Sequence, residues 1–211
     1  MEVELKFLVE EPIAREKILG DKHLAEIMDE GSLEEIKMQA TYFDTEDLDL
    51  CNSGIAFRIR RENAQPVATL KWGGKVEHGL HMRGELNVTV DEDYAKEPSL
   101  DIFKGSEIYD IIEKAAGDKP LRALLEANCI RKQMRVDTGK SINVISLDVG
   151  EIVTEKGTAP ISELEVELYS GDKEDMIELG RELATKYNLV EGSKSKFQVG
   201  LELLGYKKEN M

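Results

Sequence analysis

The feature that most limits how this chain can fold is a period-two alternation, repeated in eight segments, with ionised side chains on one face of the segments. The segments cover roughly Glu2–Leu8, Leu33–Asp44, Gly54–Arg61, Val67–Trp72, His81–Val90, Cys129–Val136, Ile142–Val153 and Ile161–Tyr169. In a strand, residues i, i+2 and i+4 share a face. One face of the first segment therefore carries Glu2, Glu4 and Lys6, and the other Val3, Leu5 and Phe7. The third sets Arg58 and Arg60 against Phe57 and Ile59, and the fifth sets Arg83 and Glu85 against Leu86 and Val88. The sixth sets Arg131 and Arg135 against Ile130, Met134 and Val136. In the seventh, Ser146 and Asp148 oppose Ile145, Leu147 and Val149, and in the last, Glu163, Glu165 and Glu167 oppose Leu164, Val166 and Leu168.

An ordinary amphipathic sheet with one wet face would alternate in the same way. Three glutamates spaced only ~7 Å apart along a strand repel one another, however, and a merely solvated face has no reason to keep them. The strands also segregate by sign, with carboxylates on the first and last and guanidinium groups on the third and sixth. Eight such strands suggest an antiparallel sheet large enough to curl or close. Closed with these faces inward, the lumen would hold dense charge of both signs, which is costly unless the charges pair or a ligand enters. Clustered Glu and Asp suit magnesium or manganese. Clustered Arg and Lys suit an anion with several oxygens, phosphate above all.

The remaining elements read as helices: Pro12 to Leu19 with Pro12 at its first position, Ser99–Ala116, Asp172 to Tyr187, and Lys196–Leu204 stopped by Gly205. The expected class is α+β, with strands dominant, in one domain over residues 1–211. The 28 basic residues stand against 43 acidic ones, a net charge of −15. That balance excludes a generic nucleic-acid coat and leaves nucleic acid an unexpected partner. No apolar run approaches the ~20 residues of a membrane helix, and the start Met1-Glu2-Val3-Glu4 does not read as a signal peptide. Two cysteines, Cys51 and Cys129, cannot build a disulfide framework, so a reduced cytoplasmic setting is expected. Trp72 beside Gly73-Gly74 reads as a packing residue at a turn. His81 shares the parity of Arg83 and so reaches the mouth of the lumen or merely water. Arg61, Lys75 and Lys132 read as solvated.

The ordered motifs match a known family. Glu2-Val3-Glu4-Leu5-Lys6 resembles the ExExK signature of the CYTH, or triphosphate tunnel metalloenzyme, superfamily. Tyr42-Phe43-Asp44-Thr45, Arg58-Ile59-Arg60, Thr69-Leu70-Lys71, Arg83-Gly84-Glu85, Asp148-Val149-Gly150-Glu151, Glu163-Leu164-Glu165-Val166-Glu167 and Ser195-Lys196 follow in the same order. The stretch Gly79–Val88, with Ser170-Gly171-Asp172, is most similar to the bacterial inorganic triphosphatase branch. The resemblance implies an eight-stranded antiparallel tunnel, open at both ends and jacketed by helices. It also implies a divalent metal, Mg2+ or Mn2+, and a small-molecule substrate bearing a triphosphate, bound by a monomer or homodimer.

Carried over by position, the resemblance implies metal binding by Glu2 and Glu4 with Glu165 and Glu167. Glu163 is the alternative if the glutamate triplet is registered on its first pair. Asp148 would support a second metal or position the attacking water. Lys6, Arg58, Arg60, Lys71, Arg83, Arg131, Arg135 and Lys196 would grip phosphates, Lys6 also reaching the metal ligands, and Glu85 would orient neighbouring cations. The implied reaction is metal-dependent hydrolysis of a terminal phosphoryl group. Class IV adenylate cyclases and thiamine triphosphatases share the scaffold, and a non-catalytic polyphosphate- or nucleotide-binding tunnel is the rival outside enzymes.

Overall fold

The computed structural model describes residues 1–206. Eight long or medium strands make one antiparallel barrel: β1 (Glu2–Leu8), β2 (Glu34–Asp44), β3 (Ile55–Glu62), β4 (Gln65–Glu77), β5 (Leu80–Thr89), β6 (Arg122–Asp137), β7 (Ser141–Thr154) and β8 (Gly157–Gly171). Their order runs β5-β4-β3-β2-β6-β7-β8-β1, and a further β1–β5 pairing closes the ring. A two-residue strand, β9 (Val190–Glu191), adds to the far half of β1.

Closure works because the two faces of every strand want different neighbours. The outward residues Leu5, Phe7, Ile145, Leu147, Leu164 and Val166 are buried under α1 (Pro12–Leu19), α2 (Lys22–Ile27) and α6 (Lys173–Tyr187). Phe57, Ile59, Ala68 and Leu70 are buried under α3 (Asp49–Asn52), α4 (Glu92–Lys96), a 3-10 turn (Leu100–Phe103) and α5 (Tyr109–Ala116). The inward residues include small ones, Ala40, Ala56 and Ala127, which leave room for long charged side chains and a cavity of about 320 Å3. α7 (Lys196–Leu203) lies over one end: Phe197 stacks on the inward Tyr42 with centroids 5.1 Å apart, and Lys196 reaches inside. The family resemblance implied two open ends; here a helix covers one of them.

Several expectations shift. Ser99–Ala116 is not one helix, because Gly105 takes a positive φ of 86° between the 3-10 turn and α5. β6 begins at Arg122, seven residues before the expected Cys129: Ala-Leu-Leu-Glu-Ala favours a helix locally, but pairing with β2 and β7 overrides that. α2, α3, α4 and β9 were not foreseen, although Asp21 caps α2 by accepting from His23 N and Leu24 N. Trp72 is the packing residue expected, its ring lying over Gly84, where a Cβ would come within 2.3 Å. Asp44, fully buried, earns its place in Tyr42-Phe43-Asp44-Thr45 by accepting from the amides of Thr45, Leu50 and Cys51, which ties α3 to the end of β2. Among the described residues no helix is long and apolar enough to cross a membrane.

Candidate active site

The barrel's register decides which lumen charges meet. Opposite signs face each other at Glu2 and Arg83, Lys6 and Glu165, Lys71 and Glu85, and Arg131 and Asp148. Such directly opposed pairs favour the sheet. Like signs face each other at two places, Asp148 with Glu163 and Glu4 with Glu167. These two conflicts are resolved differently, and the difference organises the site.

At the first, cations fill the gap. Asp148, Glu163 and Glu165 are all buried and offer oxygens within 4.8 Å of one another, a grouping able to hold a metal ion. Arg131 donates to Asp148 through Nε at 2.7 Å and Nη2 at 2.8 Å, and to Glu165 at 2.6 Å. Lys196 Nζ sits 2.8 Å from Asp148, 3.1 Å from Glu165 and against Glu163. Lys6, at 2% exposure, donates to Glu163 at 3.1 Å and to Glu165. Burial opposes ionisation of Asp148, yet Lys196 and Arg131 hold it down at about 2. Burial likewise works against the charge on Lys6 and Lys196, but the carboxylates raise both above the usual lysine range. Three cations thus match three carboxylates, and a metal ion entering here must displace an ammonium.

At the second, positive charge falls short. Glu2 accepts from Lys71 at 2.7 Å and from Arg83 at 2.6 Å, and Glu4 from Arg83 at 3.0 Å. Glu167 has no cation within pairing distance among those the structure records. Burial first, then Glu2, Glu4 and Glu165, push its carboxyl up to about 7. The group that would relieve this is a cation held by oxygen atoms. The soft donor nearby is inert: burial, with Asp148 beside it, pushes the Cys129 thiol up to about 12, so no thiolate competes.

Across the lumen the surplus is positive. Arg58 Nη1 donates to the Tyr42 hydroxyl at 3.3 Å, and its buried Nε has no partner among the described residues. Arg60 Nε is also buried without a partner, while its Nη2 meets Glu62 at 2.7 Å. Burial works against ionising Tyr42, yet Arg58, Lys196 and Lys71 draw its hydroxyl below the usual range. Lys71 lies 2.6 Å from Glu85, which Lys71 and Arg58 hold at about 2 despite burial.

Of the residues carried over from the motifs, Glu2, Glu4, Lys6, Arg58, Arg60, Lys71, Arg83, Glu85, Arg131, Asp148, Glu165, Glu167 and Lys196 line one cavity, with Glu163 just behind. Arg135 does not join them. It has the right parity, but β6 runs beyond the lumen, and Arg135 is exposed with its guanidinium on Asp29. Arg61 and Lys132 pair on the outside with Glu92 and Glu35, and Lys75 is exposed. Tyr42 stood in the Tyr42-Phe43-Asp44-Thr45 motif but was given no role in the site, since an aromatic residue in a strand carries no charge signal.

The uncompensated Glu167 has a measurable consequence. A folded value above the ordinary 4.5 means that the native protein holds a proton the unfolded chain releases, so this group's contribution to stability is lost as pH rises from about 4.5 to about 7. The loss is at most about 3 kcal/mol. His81, whose imidazole burial pushes below its ordinary value, acts oppositely in part of this window. The difference between the wild type and Glu167→Gln isolates the glutamate: in metal-free buffer the variant gains relative stability with rising pH. Denaturant midpoints that stay parallel from pH 4.5 to 7.5 would show that Glu167 is already compensated.

The profile of the CYTH domain family matches residues 1–201. The inorganic triphosphatase of Haemophilus influenzae is 30% identical over 167 residues, which cover 79% of this chain and 46% of that protein. The chain therefore spans about half the length of that curated relative. Among solved structures, HpAC1 from Hippeastrum, an adenylyl cyclase candidate described as having a dominant triphosphatase activity, aligns with a TM-score of 0.69 at 22% identity over 96% of each chain. The PH1819 protein from Pyrococcus horikoshii aligns with a TM-score of 0.60 at 20% identity over 96% of this chain and 99% of that one. At these identities the two structures bear on the fold alone.

Proposed function

This chain belongs to the CYTH domain family, and within that family we propose that it hydrolyses the terminal phosphate of inorganic triphosphate with the help of a divalent cation, Mg2+ or Mn2+. The observation that carries the proposal is the split of the lumen into a wall short of positive charge, around Glu4 and Glu167, and a facing wall with unpaired guanidinium nitrogens, at Arg58 and Arg60. A cation on the first wall and an oxyanion on the second satisfy both. Glu2, Glu4 and Glu167 would hold the cation, all hard oxygen donors, with Glu165 at the border of the set. Such a cation supplies Lewis-acid polarisation of a phosphate oxygen.

The chain's own groups do the rest. Arg58 and Arg60 bind non-bridging phosphate oxygens and fix the substrate lengthwise, which removes much of the orientational cost of reaction. Lys6 and Lys196 present ammonium groups where the end of the chain of phosphates lies and offset charge that grows there. Asp148, Glu163 and Glu165, held ionised by those same cations, keep Lys6, Arg131 and Lys196 aimed inward. Glu85 does the same for Lys71 and Arg58.

Inorganic triphosphate is preferred over a nucleotide or thiamine derivative because the aromatic rings that line the cavity, Tyr42 and Phe197, stack on each other with an interplanar angle of 16°. The stack takes one face of each ring, the Arg58 guanidinium lies over Tyr42 at 6.0 Å from its centroid, and both residues are buried, so no open ring face is left for a base or thiazolium ring. The test is phosphate release from inorganic triphosphate, ATP and thiamine triphosphate with each metal, with cyclic AMP assayed alongside. Inorganic triphosphate should lead by at least tenfold in kcat/KM. Faster turnover of either organic triphosphate, or accumulation of cyclic AMP, would replace this reading with a rival on the same scaffold.

A further inference from the structure

Among the described residues His81 makes no ion pair with the lumen charges, yet it is only 2% exposed and lies directly across from Glu4 in the β1–β5 register. Its Nε2 is 2.8 Å from the carbonyl oxygen of Gly192. A carbonyl only accepts, so Nε2 carries the proton and donates. Gly192 follows β9 and precedes the loop that leads into α7. Its own N–H donates to the Lys6 carbonyl at 2.8 Å. The peptide groups on both sides of this glycine are therefore fixed, one by β1 and one by His81.

The approach is close enough to require glycine. A Cβ at Gly192 would lie 2.8 Å from Lys6 Cγ and 3.2 Å from Cδ, so the loop is pressed onto the buried stem of Lys6. Ser193 and Lys194 beyond it are exposed. The chain is next fixed at Ser195, the N-cap of α7, where Ser195 and Gln198 cap each other's amides at 3.2 and 2.8 Å. Lys196 is the following residue, and its ammonium joins Asp148, Glu163 and Glu165. Two exposed residues thus separate a clamp at Gly192 from the helix start that seats a lumen cation.

We infer that His81 is a positioning residue: by holding the Gly192 carbonyl it fixes the loop that covers Lys6 and delivers Lys196 into the tunnel. The inference rests on the triphosphatase reading for its kinetic consequence, but its structural half stands without it. Replacing His81 with leucine strands a buried carbonyl and frees the loop at its entry. Glutamine can restore a side-chain N–H donor at similar reach.

Two measurements test this. Amide hydrogen exchange on the metal-free protein should show the amides of Gly192 and Ser195, which donate to the Lys6 carbonyl and to Gln198 Oε1, exchanging at least tenfold faster in His81→Leu than in wild type, with β2 unchanged and His81→Gln close to wild type. Equal exchange across all three proteins would overturn the inference whatever the substrate. Kinetics with inorganic triphosphate form a double-mutant cycle with Lys196→Ala. His81→Leu should lower kcat/KM by about tenfold in the wild-type background and by less than twofold once Lys196 is gone. Equal losses in both backgrounds would mean that His81 acts without Lys196 and would overturn it. A wild type that turns over no triphosphate removes only the functional reading, and the exchange result still decides the positioning role.

Discussion

Glu4→Gln is expected to lower kcat for triphosphate hydrolysis by about 300- to 1,000-fold while leaving the protein at least as stable as the wild type. Glu4 is 3% exposed, faces Glu167 across the sheet, and shares only Arg83 with Glu2. The amide keeps the shape and can still accept from Arg83. It removes one anionic oxygen donor from the wall that lacks positive charge, where a bound cation contributes several kcal/mol. Each 1.36 kcal/mol is tenfold in rate. The stability half follows from the same conflict: neutralising one of two opposed carboxylates relieves repulsion, and the Glu167 carboxyl returns toward its ordinary value. Turnover and thermal midpoint together check this. An inactive variant that also unfolds, or an active one, would each contradict the assignment.

Arg58→Ala should separate binding from folding. Lumen cations such as Lys6 and Lys196 already neutralise buried carboxylates, so removing either would leave uncompensated charge inside the protein. Arg58 donates instead to the Tyr42 hydroxyl at 3.3 Å, and among the described residues its Nε is unpartnered. Glu85 and Glu2 attract its guanidinium without pairing with it, so its hydrogen-bonding capacity is open to an incoming anion, and a charge-assisted hydrogen bond contributes about 1.5–3 kcal/mol. The expected result is a rise in KM for inorganic triphosphate of about 10- to 100-fold, with a loss of global stability near 1 kcal/mol. Isothermal titration with the metal-free protein and triphosphate gives the same comparison without turnover. Unchanged affinity would place the anion elsewhere in the lumen.

The barrel and most of its lumen could be read from the sequence because strand parity and charge are both local properties. Parity assigned Glu2, Glu4 and Lys6 to one face and Leu5 and Phe7 to the other, and the fold keeps that division. Parity does not give depth, which is why Arg135 was grouped with Arg131: the two share a face of a sixteen-residue strand, but only one lies level with the lumen. Nor does it give partners. That Asp148 faces Arg131 and Glu163, while Glu4 faces Glu167, depends on register between strands distant in sequence. The distinction between a compensated and an uncompensated acidic group was therefore invisible until the sheet was closed. His81 had the correct parity, but what it holds is set by a two-residue strand and a loop that carry no periodic signal. The Ala123–Ala127 stretch, left outside the expected strand Cys129–Val136, is a case of the opposite kind, since its composition favours a helix locally and tertiary pairing overrules it.

On the proposed function, the lumen divides into a cation-binding acidic wall and an anion-binding basic wall. Anomalous diffraction from crystals soaked with Mn2+ and a non-hydrolysable triphosphate analogue tests it most directly. The manganese peak is expected within coordination distance of Glu4 and Glu167, with phosphate density against Arg58 and Arg60. Manganese seated among Asp148, Glu163 and Glu165 with Lys6 or Lys196 displaced, or bound only on the outer surface, would contradict it.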